Sequence, residues 1–147
     1  METLKLEHLA GYLPYGLKLT RNGFTGTLTS IILPREDVKR LRFTISCSQW
    51  YEDFEGTNPY KPILRPLSDM TKEIEVNGEK FIPLHKILEE YCFDLSKMDN
   101  DYILSFEDSL INVDMSYTTA QLLLSWHFDI KNLIDKDLAV NINTLNK

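Results

Sequence analysis

The chain reads as an α+β domain, an antiparallel sheet of several strands with two main helices packed on one face. Three observations predict it. Two Asn-Gly pairs, Asn22-Gly23 and Asn77-Gly78, stand between short strand-like runs, and such a pair supplies the two positive-φ residues of a type I′ hairpin turn. Leu41, Phe43, Ile45 and Cys47 alternate with Arg40, Arg42, Thr44 and Ser46, the period of a strand with one apolar face. Two helical stripes, within 83–92 and 118–134, are wide enough to cover that face.

In chain order, Leu6, Leu9 and Leu13 with Ala10 predict a short amphipathic helix that Pro14 ends. The first Asn-Gly turn then sets a register with Leu17 opposite Leu28 and Leu19 opposite Gly26. After Pro34 the chain enters the alternating strand at 40–47. Pro62 and Pro66 force KPILRPLSDM onto an extended path, expected as an edge strand or a strap across the sheet; Ser68 or Asp69 offers a cap for a helical turn, but a direct run into a second hairpin is favoured. The second hairpin, EIEV-NG-EKFI, leads into a helix in which Pro83 occupies the first turn and Leu84, Ile87, Leu88, Tyr91 and Cys92 form one face. Residues 102–106 and 110–113 look like short strands, and Leu138, Val140 and Ile142 like a last one.

The main helix is expected over Tyr117–Leu138. Leu123, Trp126, Ile130, Leu133 and Ile134 share one face, widened by Ala120, Leu124 and Phe128, with Thr118 or Thr119 as N-cap. His127 beside that stripe is read as a core histidine bonded to backbone, and Asp129 and Lys131 as its solvent side.

The 147 residues amount to about one domain, a single globular unit over 1–147. Hydrophobic residues make up 43%, enough for a sizeable core. No apolar run approaches the roughly 18–20 residues of a membrane span, and METLKLEHLAGYL is charged where a signal peptide is apolar, so a cytoplasmic protein is expected, with no membrane partner. Cys47 and Cys92, far apart, are read as buried thiols. The net charge of −6 is uneven: residues 1–47 hold seven Lys/Arg against four acids, which leaves −9 for the rest. Such a split suits head-to-tail self-association or an oppositely charged partner.

Two constellations point to binding. Trp50, Tyr51 and Phe54 lie among Glu52, Asp53 and Glu55, and aromatic rings in a loop contribute large contact area to a protein partner at small entropic cost. Folding back as a lid on the core is the plainer use of such rings. Lys18, Arg40 and Arg42 interleave with Thr20, Thr25, Thr27, Thr29 and Thr44 on the outer sheet face, chemistry suited to phosphates, although the aromatic stackers of single-strand readers are missing. A solvated threonine-rich face is the plainer alternative.

Catalytic signals are thin. His8, His85 and His127 form no HxxxH or HExxH, and no P-loop, GxSxG or GxGxxG occurs; neither a cofactor, a metal site nor an enzyme is expected.

The blocks LEHLAGYLPYGLK, KPILRPLSD, VNGEKF, WHFD and NINTL resemble a group of small proteins encoded in phages and prophages of Bacteroidetes, with Gly11 where that group has proline. The resemblance covers the two ends and the middle of the chain. It implies a phage-derived protein inside a bacterial cell and brings neither a fold nor an activity. Together these readings predict a non-enzymatic phage or prophage accessory or regulatory protein that binds a host or phage protein. The alternative is a nucleic-acid or nucleotide binder using the basic sheet face.

Overall fold

A computed structural model describes residues 4–37, 41–46, 52–53, 59–108 and 115–145. The chain is α+β, and its sheet is mostly antiparallel. Strands β1 (Lys18–Arg21), β2 (Phe24–Ile32), β3 (Arg42–Ile45), β4 (Glu52–Asp53), β5 (Lys61–Leu64) and β8 (Val140–Asn141) form one sheet in the order β4-β3-β2-β1-β5-β8. Strands β6 (Ile74–Val76) and β7 (Glu79–Phe81) form a separate hairpin.

Both Asn-Gly turns form as expected. Asn22 and Gly23 have φ of 52° and 80°, Asn77 and Gly78 of 53° and 85°. The first fixes Leu19 opposite Gly26, and the Leu28 amide donates to the Leu17 carbonyl at 2.7 Å. Gly26 is a packing requirement: a Cβ there would lie 3.1 Å from the Ile45 side chain. Between Leu28 and Ser30 the register slips by one residue, and the Thr29 hydroxyl meets Thr44 Oγ1 at 2.7 Å across this bulge.

The segment with two prolines is no edge. β5 lies between β1, antiparallel to it, and β8, parallel to it. Pro62 sits opposite Leu19 at a place in the ladder where its missing amide is tolerated.

The expected strand at 102–106 is helical. Asp99 Oδ1 accepts from the Tyr102 amide at 2.8 Å and starts α3 (Asn100–Leu104), followed by α4 (Phe106–Asp108). An N-cap carboxylate decides such a short, ambiguous run. Residues 110–113 lie outside the described residues. Near the N-terminus, α1 (Leu6–Leu9) continues as a 3-10 turn, Ala10–Tyr15, which passes through Pro14 and stops at Gly16. Leu9 and Tyr12 are buried, whereas Leu6 and Ala10 are exposed.

Helix α2 (Pro83–Glu90) forms where expected, with Pro83 in its first turn and Leu84, Ile87 and Leu88 buried. The long helix does not. α5 spans Tyr117–Ser125 and is capped by Ser116, whose Oγ accepts from the Thr119 amide, while Thr119 itself is buried. Its end is a Schellman motif: the Phe128 amide donates to the Leu123 carbonyl at 2.9 Å and the His127 amide to the Leu124 carbonyl at 3.0 Å, with His127 at φ 61°. Beyond it the chain runs beside Arg65. The Arg65 amide donates to the His127 carbonyl and the Asp129 amide to the Arg65 carbonyl, both at 2.8 Å. A buried carboxylate holds the next turns: Asp129 accepts from the Leu133 and Ile134 amides at 2.8 and 2.9 Å. Asp129 is therefore 5% exposed, not the solvent side of a helix.

The expected stripe is still buried or half-buried, but divided between two cores. Leu133, Leu124 and Ile134 join Leu9, Tyr12, Leu17, Leu19, Leu28 and Phe43 against the sheet. Leu123, Phe128, Trp126 and Ile130 join Met70, Ile74, Ile103 and the α2 stripe. The cover on the sheet is thus the N-terminal segment with part of 124–139, while α2 packs in the second core. Gly11 lets the N-terminal turn approach α5 closely, since a Cβ there would lie 3.0 Å from Leu124 Cδ1.

Tyr12 pins this junction. Its buried hydroxyl donates to the Phe128 carbonyl and accepts from the Ile130 amide at 3.4 Å. Burial pushes its ionisation well above the ordinary value of 10. Tyr12→Phe should destabilise the fold by about 1 kcal/mol, the net worth of one buried hydrogen bond, since the Phe128 carbonyl keeps the Ile130 amide as a donor at 3.1 Å; urea melts read it, and an unchanged midpoint would show that the bond contributes nothing. Asp129→Asn should cost ~1–3 kcal/mol, because one amide oxygen replaces two acceptors.

Candidate functional site

Trp50, Tyr51, Phe54 and Arg40 lie outside the described residues. Lys18 is exposed on β1 and Arg42 half-buried on β3, opposite Asp53 of β4. They are not brought together: β2 runs between them, and their partners Thr27 and Ile32 are roughly 15 Å apart along it. The hydroxyls of Thr29, Ser30 and Thr44 bond to one another at 2.6–2.7 Å. His127 is the backbone-bonded histidine expected, whereas Cys92 is exposed and not a buried thiol. Among the described residues no three His, Cys, Asp or Glu are grouped to hold a metal ion, and no helix is long and apolar enough to cross a membrane.

Two places gather chemistry that sequence reasoning did not place. The first is a ring cluster where α2 gives way to α3. Cys92, at φ 65°, ends α2 in a second Schellman motif, with Phe93 and Cys92 amides donating to the Leu88 and Glu89 carbonyls. Asp94 then caps the 3-10 turn Leu95–Lys97 and Asp99 caps α3. These turns bring Phe93 and Tyr102 onto Phe106, with ring centroids 5.1 and 5.2 Å apart. Tyr91 Oη bonds Thr119 Oγ1 at 2.9 Å and also contacts Ser116 Oγ, tying the end of α2 to the start of α5. Phe93 is 39% and Tyr102 53% exposed, and Tyr91 and Leu104 beside them are exposed too. Glu89, Glu90, Asp94, Asp99, Asp101 and Glu107 belong to the same segment, against one cation, Lys97, held by Asp94 at 3.8 Å. The cluster escaped sequence reasoning because the run 102–106 reads as a strand, whereas the Asp99 cap makes it helical and sets Tyr102 against Phe106. The legible signal was the spacing of Asp94 and Asp99 as caps.

The second place is a cleft of ≈ 480 Å³ between the second hairpin and the end of α5, lined by Pro14, Tyr15, Val76, Asn77, Glu79, Ser125 and Trp126. Trp126 rests on Phe81 with centroids 5.0 Å apart. Next to it His127 Nε2 donates to the Tyr15 carbonyl at 2.7 Å, a bond that requires the proton on Nε2. Burial pushes the imidazole below its ordinary 6.5; the bond to Tyr15 pulls it up, and the cations Arg65 and Lys18 push it further down.

Protein-family models, curated proteins and solved structures yield no match to the chain. The class is therefore defined by the fold itself: an α+β chain with a mostly antiparallel six-stranded sheet and a second core built on a β-hairpin and short helices.

A neutral His127 contributes stability that is fully present above pH 6.5 and is lost as the pH falls below it, because the unfolded chain then binds the proton first. The midpoint of thermal unfolding should fall between pH 7 and pH 5.5. His127→Asn, which keeps a residue tolerant of positive φ but does not titrate, should flatten that dependence; an equal slope in both proteins would assign it to other groups.

Proposed function

We propose that this chain is a non-enzymatic accessory or regulatory protein of phage or prophage origin, acting in the bacterial cell by binding a host or phage protein through the ring cluster of Phe93, Tyr102 and Phe106. The observation that supports it is the coincidence of exposed rings with one sign of charge. Monomers rarely leave neighbouring aromatic rings in water, and rings anchored on helix ends offer large contact area with little side-chain entropy to lose. The acids of 89–107 select the partner: an apolar anchor rimmed by lysine or arginine, attracted at a distance and deterred if acidic. The phage origin rests on the resemblance of the five sequence blocks.

The test is capture of a partner and measurement of its affinity for the parent and for Phe93→Ala/Tyr102→Ala. The double variant should bind at least about 30-fold more weakly, as loss of a ~2 kcal/mol hot spot requires, and should melt close to the parent because both rings are exposed. Binding should also weaken as salt rises from 0.05 to about 0.5 M. Undiminished affinity in this variant, with loss in Trp50→Ala/Tyr51→Ala, would transfer the interface to the aromatic residues of 48–60.

A further inference from the structure

The cleft over Trp126 lies apart from the ring cluster in the sequence and is built from a different set of elements. Its lining residues include the aromatic Tyr15 and Trp126, the acid Glu79, Asn77, and Ser125, whose hydroxyl donates to the Leu122 carbonyl at 2.7 Å, and no lysine, arginine or histidine is among them. An anion entering it would find no cationic residue in the lining and would face the Glu79 carboxylate. A cation would meet the negative faces of π-systems and a carboxylate together, the pairing that holds guanidinium and ammonium groups most effectively near a surface.

The hairpin already hosts such a group. Lys86 Nζ of α2 pairs with Glu79 and lies 4.9 Å from the centroid of Phe81, the ring on which Trp126 rests. Glu79 is largely exposed, and a carboxylate has room for a second donor. Asn77-Gly78, as a type I′ turn, sets Glu79 immediately after the hairpin tip, while the Schellman end of α5 sets Trp126 at its C-cap. Neither ring nor carboxylate therefore depends on a ligand for its position. The volume of ≈ 480 Å³ falls within the range of sites that hold one small molecule, room for a single long side chain with its flanking backbone.

We propose that this cleft binds the cationic side chain of an arginine or lysine presented by a partner segment, with the charged head at Glu79 and its stem along Trp126 and Tyr15. Lys86 competes from within the chain for the same carboxylate. The site adds a single-residue specificity element that is independent of the α2–α3 cluster.

The probe is the peptide Ac-Gly-Arg-Gly-NH2, titrated into the full chain while the indole N–H resonance of Trp126 is followed; a Trp50→Phe variant assigns it, since the chain has two tryptophans. The peptide should shift that resonance saturably, and Ac-Gly-Gln-Gly-NH2 should not. Glu79→Gln, at an exposed hairpin position, should weaken binding at least about fivefold, and Lys86→Gln should tighten it by a few-fold by releasing the carboxylate. A lysine peptide that binds more tightly than the arginine one keeps the site and assigns the ammonium as its ligand. Equal shifts from the arginine and glutamine peptides, no saturable shift, or parental affinity in Glu79→Gln would overturn the assignment. Phe93→Ala/Tyr102→Ala should leave this titration unchanged, so that failure here and failure of the proposed protein interface are read separately.

Discussion

The structure depends on a contact between distant parts of the chain, where Arg65 lies alongside His127, Phe128 and Asp129. Two backbone hydrogen bonds of 2.8 Å make this parallel bridge, and the Tyr12 hydroxyl closes it from the other side by bonding the Phe128 carbonyl. Phe128 and Asp129 are both buried at that point. Buried backbone groups that leave a helix must find other partners, because each unsatisfied one costs on the order of 1–3 kcal/mol. Here Arg65, Tyr12 and the Asp129 carboxylate supply them. The bridge can form only if the helix ends at Ser125, and it ends there although the following residues keep a helical apolar pattern.

That termination joins two cores that share no sheet. Leu124 points its contacts toward the sheet cluster and Leu123 toward the hairpin cluster, so one short helix serves both. After the turn at His127 the chain feeds Phe128 and Ile130 into the second core and Leu133 and Ile134 back into the first. Four residues other than glycine hold positive φ at helix or turn ends along this path or beside it: Cys92, His127, Asn132 and Asp137. For His127 the bond to Tyr15 and the Schellman carbonyls offset the strain of a left-handed conformation, which for an ordinary residue costs roughly 1–2 kcal/mol.

Both candidate surfaces follow from helix ends rather than from helix faces. The faces of α2 and α5 are consumed by the cores, as their buried leucines and isoleucine show. Their C-terminal turns then set aromatic residues at the boundary: Tyr91 and Phe93 after α2, Trp126 after α5. A ring on a capped helix end is held by backbone hydrogen bonds rather than by burial, so it can stay partly exposed without losing its position. The charges divide accordingly, with acids around the α2–α3 rings and a single carboxylate, Glu79, in the cleft.

What the sequence by itself determined is local. Both Asn-Gly turns, the register of the first hairpin, the alternation around Phe43 and Ile45, Pro83 opening α2, and the burial of the 123–134 stripe depend on residues within a few positions of one another, where φ preference and periodicity act. The α+β class followed from these, because their apolar faces need one another. Only the tertiary structure decided where the long helix stops, since a periodic pattern does not reveal that Arg65 will accept and donate at 127–129 or that Asp129 will turn inward to cap Leu133 and Ile134. It also decided that the Pro62 strand lies inside the sheet, and that Tyr102 of α3 and Phe93 both stack on Phe106 of α4. In each case the outcome rests on a hydrogen bond or a ring contact to a partner outside the segment's own periodic pattern, and a periodic signal carries no information about such partners.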